Sequence, residues 1–224
     1  MNVLITGGAS GLGLATAEAV AKEGWRPLVA DVREPGQGVD HVVADLSDRA
    51  EAERAVRELA ERAGGLDAVV TAAGVDACGR LEDVAADDWD RVIMVNLLGT
   101  ASVVRAALPY LRTSRGKVVT CASTLGLRPL SDATAYCASK FGVVGFTRAL
   151  AVELAGQVGV TLLVPGGMRT AFFDGRPEQY KPGPDAGLND PADVARTIVF
   201  ALGQPAGCEV RELVVCPSTE TSWP

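Results

Sequence analysis

Histidine is almost absent: His41 is the only one in 224 residues. A dehydrogenase zinc site built on clustered imidazoles is therefore excluded. Cysteines are few and scattered, at Cys78, Cys121, Cys137, Cys208 and Cys216, with no Cys-x-x-Cys pair. Their number is odd, and no disulfide framework is expected. Cys121 and Cys137 read as small buried hydrophobes. No apolar run approaches the roughly 20 residues that a membrane-spanning helix needs. The amino-terminal apolar run leads straight into a glycine turn, so no signal peptide is expected and a cytoplasmic setting is. Positive charge is in deficit, with a net charge of −7. That balance disfavours nucleic acid and anionic membranes as partners. Internal repeats are also lacking, and 48% of the residues are hydrophobic, enough for the core of one domain spanning 1–224.

Apolar runs read as strands near residues 2–6, 27–30, 41–43, 67–71, 116–122, 159–164 and 211–216. Helical patterns fall between them, near 12–23, 48–62, 87–111, 135–154 and 190–202. This alternation predicts an α/β fold, a doubly wound parallel sheet of about seven strands with helices on both faces. Ser47 and Asp190 stand at helix starts. Glu53 with Arg57 and Glu58 with Arg62 are i, i+4 pairs on a solvated helix face. The proline- and glycine-rich stretch 175–187 is a loop.

Two patterns carry chemistry. The first strand, Asn2–Thr6, runs into Gly7-Gly8-Ala9-Ser10-Gly11-Leu12-Gly13 and then a helix. Strand, glycine turn and helix form the geometry that binds a dinucleotide pyrophosphate at a helix amino terminus. The spacing is Gly-x-x-x-Gly-x-Gly rather than Gly-x-Gly-x-x-Gly. Asp31 ends the second strand, where a carboxylate accepts hydrogen bonds from ribose hydroxyls and repels a 2′-phosphate. NAD is therefore favoured over NADP, with Arg33 the only nearby residue able to hold a phosphate. In the second pattern, Tyr136 and Lys140 share a helix face at i, i+4. An ammonium near a phenol favours the phenolate, which makes the tyrosine a usable acid or base. Ser123 follows a buried strand and can reach the same cleft. Taken alone, Tyr-x-x-x-Lys is short enough to occur by accident.

Together these residues resemble the short-chain dehydrogenase/reductase family in its small single-domain form. The matching pieces, in order, are Thr6 to Gly13, Asp31, Asp45, Ala72-Ala73-Gly74, Asn96, Ser123, Tyr136 with Lys140, and Pro165-Gly166 with Thr170. The resemblance implies an NAD(P)-dependent oxidoreductase that moves hydride between nicotinamide and a secondary alcohol or ketone. Tyr136 would be the acid or base, Lys140 would lower its pKa and bind the nicotinamide ribose, and Ser123 would hydrogen-bond the substrate oxygen. Asn96 would hold a water that links Lys140 to solvent. The cofactor would be held by Thr6, Gly7, Ser10, Gly11, Leu12, Gly13, Asp31, Asp45, Leu46, Ala73, Gly74, Tyr136, Lys140, Pro165, Gly166 and Thr170. No metal is implied. The alternatives are a 3-oxoacyl-thioester reductase, a silent NAD-binding scaffold, and an epimerase or dehydratase working through transient oxidation.

The chain departs from the family in two places. Thr71-Ala72-Ala73-Gly74 lacks the two asparagines many members carry, and the tail after Glu212–Cys216 is Pro217-Ser218-Thr219-Glu220-Thr221-Ser222-Trp223-Pro224. Candidate pocket residues are Val75, Leu125, Leu127, Leu130, Met168, Phe172, Phe173 and Tyr180, so an apolar carbonyl or alcohol is expected. Arg128 and Arg169 are candidates for an anionic group. The helices 87–111 and 135–154 carry more apolar positions than one buried face needs. Relatives pair these helices, so a homodimer or homotetramer is expected, with Val104 and Val144 read as outward apolar positions.

Overall fold

The computed structural model describes residues 1–220. Its centre is a parallel sheet of seven strands, β1 (Asn2–Thr6), β2 (Arg26–Asp31), β3 (Asp40–Val43), β4 (Ala68–Thr71), β5 (Lys117–Cys121), β6 (Gly159–Pro165) and β7 (Glu212–Val215). The strand order is β3-β2-β1-β4-β5-β6-β7. Strands such as Ala68-Val69-Val70-Thr71 are buried at every residue, as parallel strands covered on both faces must be. Alternate residues serve opposite layers. Leu4, Leu28 and Val69 pack with the helices α2 (Arg49–Ala63) and α4 (Thr100–Ser114). Val3, Ile5 and Val70 pack with α1 (Gly11–Lys22) and α6 (Pro191–Leu202). The chain reverses its winding between β1 and β4, and the carboxyl ends of those two strands therefore open a crevice.

The helix starts show which terminal N–H groups are satisfied within the chain. Asp48, not Ser47, caps α2, accepting from the N–H groups of Ala50 and Glu51. Ser47 instead donates to Asp45. Asp190 caps α6, with Pro191 at the first helical position, where its missing N–H costs nothing. Ser10 stands at the start of α1, yet its side chain makes no capping bond. The expected ion pairs on α2 form, Glu53 with Arg57 and Glu58 with Arg62, and all four side chains remain at the surface.

The helix expected over 87–111 is interrupted. It consists of α3 (Ala86–Ile93), a π-helical turn (Met94–Gly99) and α4. By length and apolarity the run Ala86–Ser114 could cross a bilayer, but half of its most apolar window is buried inside the protein, as in a core helix. Val104 on this run and Val144 on α5 (Thr134–Glu153) are not outward positions: they are 1% and 6% exposed. Val104 packs in the layer with α2, and Val144 lies against Leu162 and Val164 of β6. The exposed apolar side chains of these helices are Met94, Leu98, Phe141 and Val152.

Candidate active site

The glycine turn is tight because side chains are sterically forbidden in it. Gly7 has φ +72°, and a Cβ there would lie 2.8 Å from the Ala73 backbone. A Cβ on Gly13 would lie 2.1 Å from the Gly7 carbonyl oxygen, so α1 is pressed against the end of β1. Thr6 reinforces the junction, its hydroxyl accepting from Ala73 N–H at 3.2 Å. Leu12 and Gly13 are buried in the first turn of α1. Thr170 borders Gly11: a Cβ added at Gly11 would lie 3.4 Å from the Thr170 methyl carbon, an ordinary contact. The structure thus gathers Thr6, Gly7, Gly11, Leu12, Gly13, Ala73 and Thr170 around one crevice.

Asp31 lies at the crevice's outer end and is 7% exposed. Its Oδ2 accepts from Ala9 N–H and its Oδ1 from Arg33 N–H, each at 3.0 Å. Arg33 folds back over the glycine turn, its Nη2 donating to Ser10 Oγ at 2.7 Å while its Nε stands 3.9 Å from Asp31. A cation therefore sits beside the carboxylate, a placement that sequence spacing alone did not show. Asp45 is turned to its own loop: Oδ1 accepts from Ser47, and Oδ2 pairs with Arg91 at 3.3 Å. Leu46 is buried, and its carbonyl lies against Gly99 of the π turn.

Ser123, Tyr136, Lys140 and Asn96 converge where β4, β5 and α5 meet. Ser123 Oγ accepts from Leu125 N–H at 3.1 Å and hydrogen-bonds the Tyr136 side chain. Lys140 is 4% exposed. Its Nζ donates to the Cys121 carbonyl at 2.9 Å and stands 5.5 Å from the Tyr136 ring centre. Asn96 sits in the π turn, a widening of the helix often found at functional sites. Its Nδ2 donates to Val75 O and to Ser139 Oγ, and its Oδ1 accepts from Val75 N–H. Gly74 separates Asn96 Oδ1 from Lys140 Nζ: a Cβ there would lie 3.5 Å from one and 3.7 Å from the other.

The expected lowering of the Tyr136 pKa is not what the folded chain produces. Burial pushes the phenol well above its ordinary value; Cys121 and Asp76 add to that, while the Ser123 hydrogen bond and Arg176 oppose it. Lys140 does not reverse the balance, because its ammonium is directed at the Cys121 carbonyl and burial lowers its own pKa.

The candidate pocket residues divide. Phe172 packs its ring 5.7 Å from that of Tyr136, and Phe173 packs edge-on to Phe172. Tyr180 donates to Asp132 at 3.3 Å. Met168 and Leu127 instead pack against core clusters, and Leu130 is 61% exposed. Arg169 pairs with Asp190 and donates to Leu188 O. Sequence reasoning missed Asp76 and Arg176, which form an ion pair at 2.5 Å with side chains 5% and 17% exposed. The pair joins residues 100 positions apart, and no local pattern announces it. Cys78 donates to the same carboxylate at 3.1 Å, and burial, reinforced by Asp76, pushes its thiol up to about 12.

Pro165 closes β6, and Gly166 and Gly167 follow it beneath the start of the tail. A Cβ on Gly166 would lie 2.5 Å from Glu220 Oε2, which also accepts from Gly167 N–H at 3.3 Å. The rest of the unusual tail, 221–224, lies outside the described residues.

A short chain dehydrogenase family model matches residues 1–181. The chain is 33% identical over 217 residues to a 3-oxoacyl-(acyl-carrier-protein) reductase of Thermotoga maritima, covering 88% of each chain. Among solved structures, an alcohol dehydrogenase of the archaeon Thermococcus sibiricus in complex with 5-hydroxy-NADP superposes with TM-score 0.86 at 26% identity, over 98% of this chain and 97% of that one. An actinorhodin polyketide ketoreductase variant with NADPH gives 0.84 at 28% identity, over 96% and 95%.

Proposed function

This chain belongs to the short-chain dehydrogenase family of NAD(P)-dependent oxidoreductases, and we propose that it interconverts a secondary alcohol and a ketone with Tyr136 as the acid or base. The observation that carries the proposal is the convergence of Ser123, Tyr136 and Lys140 beside the glycine-lined crevice.

The crevice fits a dinucleotide on its own geometry. The first-turn N–H groups of α1 receive no side-chain cap, since Ser10 Oγ is engaged by Arg33. Their dipole end suits a pyrophosphate. Thr6, Gly7, Ser10, Gly11, Leu12 and Gly13 would hold the phosphates. Asp31, Asp45, Leu46, Ala73 and Gly74 would hold the adenosine, and Tyr136, Lys140, Pro165, Gly166 and Thr170 the nicotinamide half. The bound nicotinamide supplies or takes up the hydride. Ser123 hydrogen-bonds the substrate oxygen and stabilises charge there. The Tyr136 hydroxyl gives its proton to that oxygen in reduction and recovers it in oxidation. Lys140 holds the nicotinamide ribose, and Asn96 steadies the loop at Val75 that borders both. The substrate is a small alcohol or carbonyl compound, and the Thermotoga relative's name makes a 3-oxoacyl thioester the second reading.

NAD is the proposed cofactor, because Asp31 opposes a 2′-phosphate. NAD(H) should be preferred by about tenfold or more in kcat/KM, a difference of roughly 1.4 kcal/mol. Asp31→Ala combined with Val32→Arg should move the preference toward NADP(H). A wild-type protein that works better with NADPH would reverse the assignment and make Arg33, already on Ser10, the phosphate partner.

The proposed assembly is a homodimer or homotetramer in the cytoplasm, a setting that suits five unpaired cysteines. Met94, Leu98 and Phe141 are 40%, 47% and 44% exposed on neighbouring helices and form the apolar seam. Leu98→Glu with Phe141→Glu should dissociate it and lower activity, because α5 would lose outer support. Light scattering at micromolar concentration checks this: a wild-type species of 23.2 kDa would reject the idea.

A further inference from the structure

Arg176 stands in the loop that follows β6, and its contacts are unusual for a charged side chain. Its guanidinium carbon lies 5.1 Å from the centre of the Phe172 ring and 4.6 Å from that of Phe173. Phe172 in turn packs on Tyr136, so the cation is one ring removed from the phenol. Nη2 pairs with Asp76 and Nη1 donates to Tyr180 O. Nε is buried and has no hydrogen-bond partner among the described residues. Buried side-chain donors are nearly always paired, so an orphan beside a reaction centre points to an absent acceptor.

We propose that Arg176 is a specificity-determining residue, whose Nε donates to a second, uncharged oxygen of the substrate, a few bonds from the carbonyl that is reduced. The inference rests on the oxidoreductase reading above and narrows its substrate class. The acceptor is uncharged because the guanidinium charge is already matched. Asp76 takes Nη2 while also accepting from Ala77 N–H and from Cys78 Sγ. A carboxylate brought to Nε would face the Asp76 carboxylate across a desolvated site. A keto, ester or thioester oxygen meets no such repulsion. Phe172 packs on the Tyr136 ring and Arg176 packs on Phe172, so in this proposal a substrate at the phenol meets this loop, and closure of the loop brings Nε onto the bound molecule. A simple ketone leaves Nε orphaned, and a site that strands a buried polar group discriminates against that ligand.

Three probes distinguish these cases: ethyl acetoacetate, the acetoacetate anion and 2-hexanone, each reduced with saturating cofactor. The wild-type protein should prefer the ester over both others by about tenfold or more in kcat/KM. Arg176→Met should remove that preference, the ester losing about tenfold more in kcat/KM than 2-hexanone does. Arg176→Lys keeps the charge but not the Nε donor, and should lose the ester preference too; it decides the question if the methionine variant does not fold. Asp76→Asn leaves the guanidinium charge unmatched and should raise relative activity on acetoacetate. An unchanged ester-to-ketone ratio in both Arg176 variants would overturn the proposal. So would an equal change on all three probes, which would make Arg176 only a fastener of the loop. Wild-type turnover without ester preference defeats this inference alone, whereas a fully active Tyr136→Phe protein defeats the hydride-transfer reading beneath it.

Discussion

Tyr136→Phe is expected to lower turnover by about a thousandfold or more, because it keeps the ring and deletes the proton that the substrate oxygen must receive. The phenyl ring still packs on Phe172, so folding and cofactor affinity should stay close to wild type. The wild-type pH profile carries the same signature. Burial raises the phenol pKa, so the protonated form persists into alkaline solution. Reduction needs that form and should stay level from neutral pH upward. Oxidation needs the deprotonated form and should rise with pH over the same interval. Steady-state rates in both directions, with cofactor binding followed by fluorescence, decide the matter. A Tyr136→Phe protein retaining a tenth of wild-type turnover would remove Tyr136 from the chemistry.

Lys140→Ala should be as severe, for a different reason. The ammonium is nearly inaccessible and is anchored on the Cys121 carbonyl. Removing it withdraws the proposed ribose contact and the ammonium that stands 5.5 Å from the phenol ring. It also leaves a buried carbonyl without its donor, a loss worth about 1–3 kcal/mol of stability. The expected result is a turnover loss of about a thousandfold even at saturating cofactor, a weakened cofactor Kd and a lowered Tm. Ordinary turnover under saturation, with only Kd raised, would show that Lys140 binds cofactor and does nothing for the proton.

Much of the architecture was legible in the chain because the strands are short apolar runs, several of them ended by a small or acidic residue such as Thr6, Asp31 or Thr71. Asn2–Thr6 was placed residue for residue, and Gly159–Pro165 missed by one. The parallel order follows once helices alternate with such strands. Within the candidate site, Ser123, Tyr136 and Lys140 were legible because two of them share a helix and the third closely follows the neighbouring strand. What stayed hidden depends on contacts between distant segments. Asp76 and Arg176 meet from segments 100 positions apart, and Arg33 reaches back to Ser10. Val104 and Val144 were misread because an apolar residue on a crowded helix has no sequence mark for which neighbour covers it. The π turn was likewise invisible, since Met94-Val95-Asn96-Leu97-Leu98-Gly99 has the composition of an ordinary helix.

That turn also changes how the apolar spacing of the whole run should be counted. Val92 and Leu111 are both buried, nineteen residues apart, with Asn96, Gly99, Val103 and Ala107 buried between them. Five turns of a regular α-helix take about 18 residues. The buried stripe therefore repeats slightly slower than the helix itself would, and the wider turn absorbs the surplus residue. Without it, residues before and after Asn96 would be rotated relative to one another by about 100°. The surplus residue acts as a phase correction, and Asn96 is seated inside it.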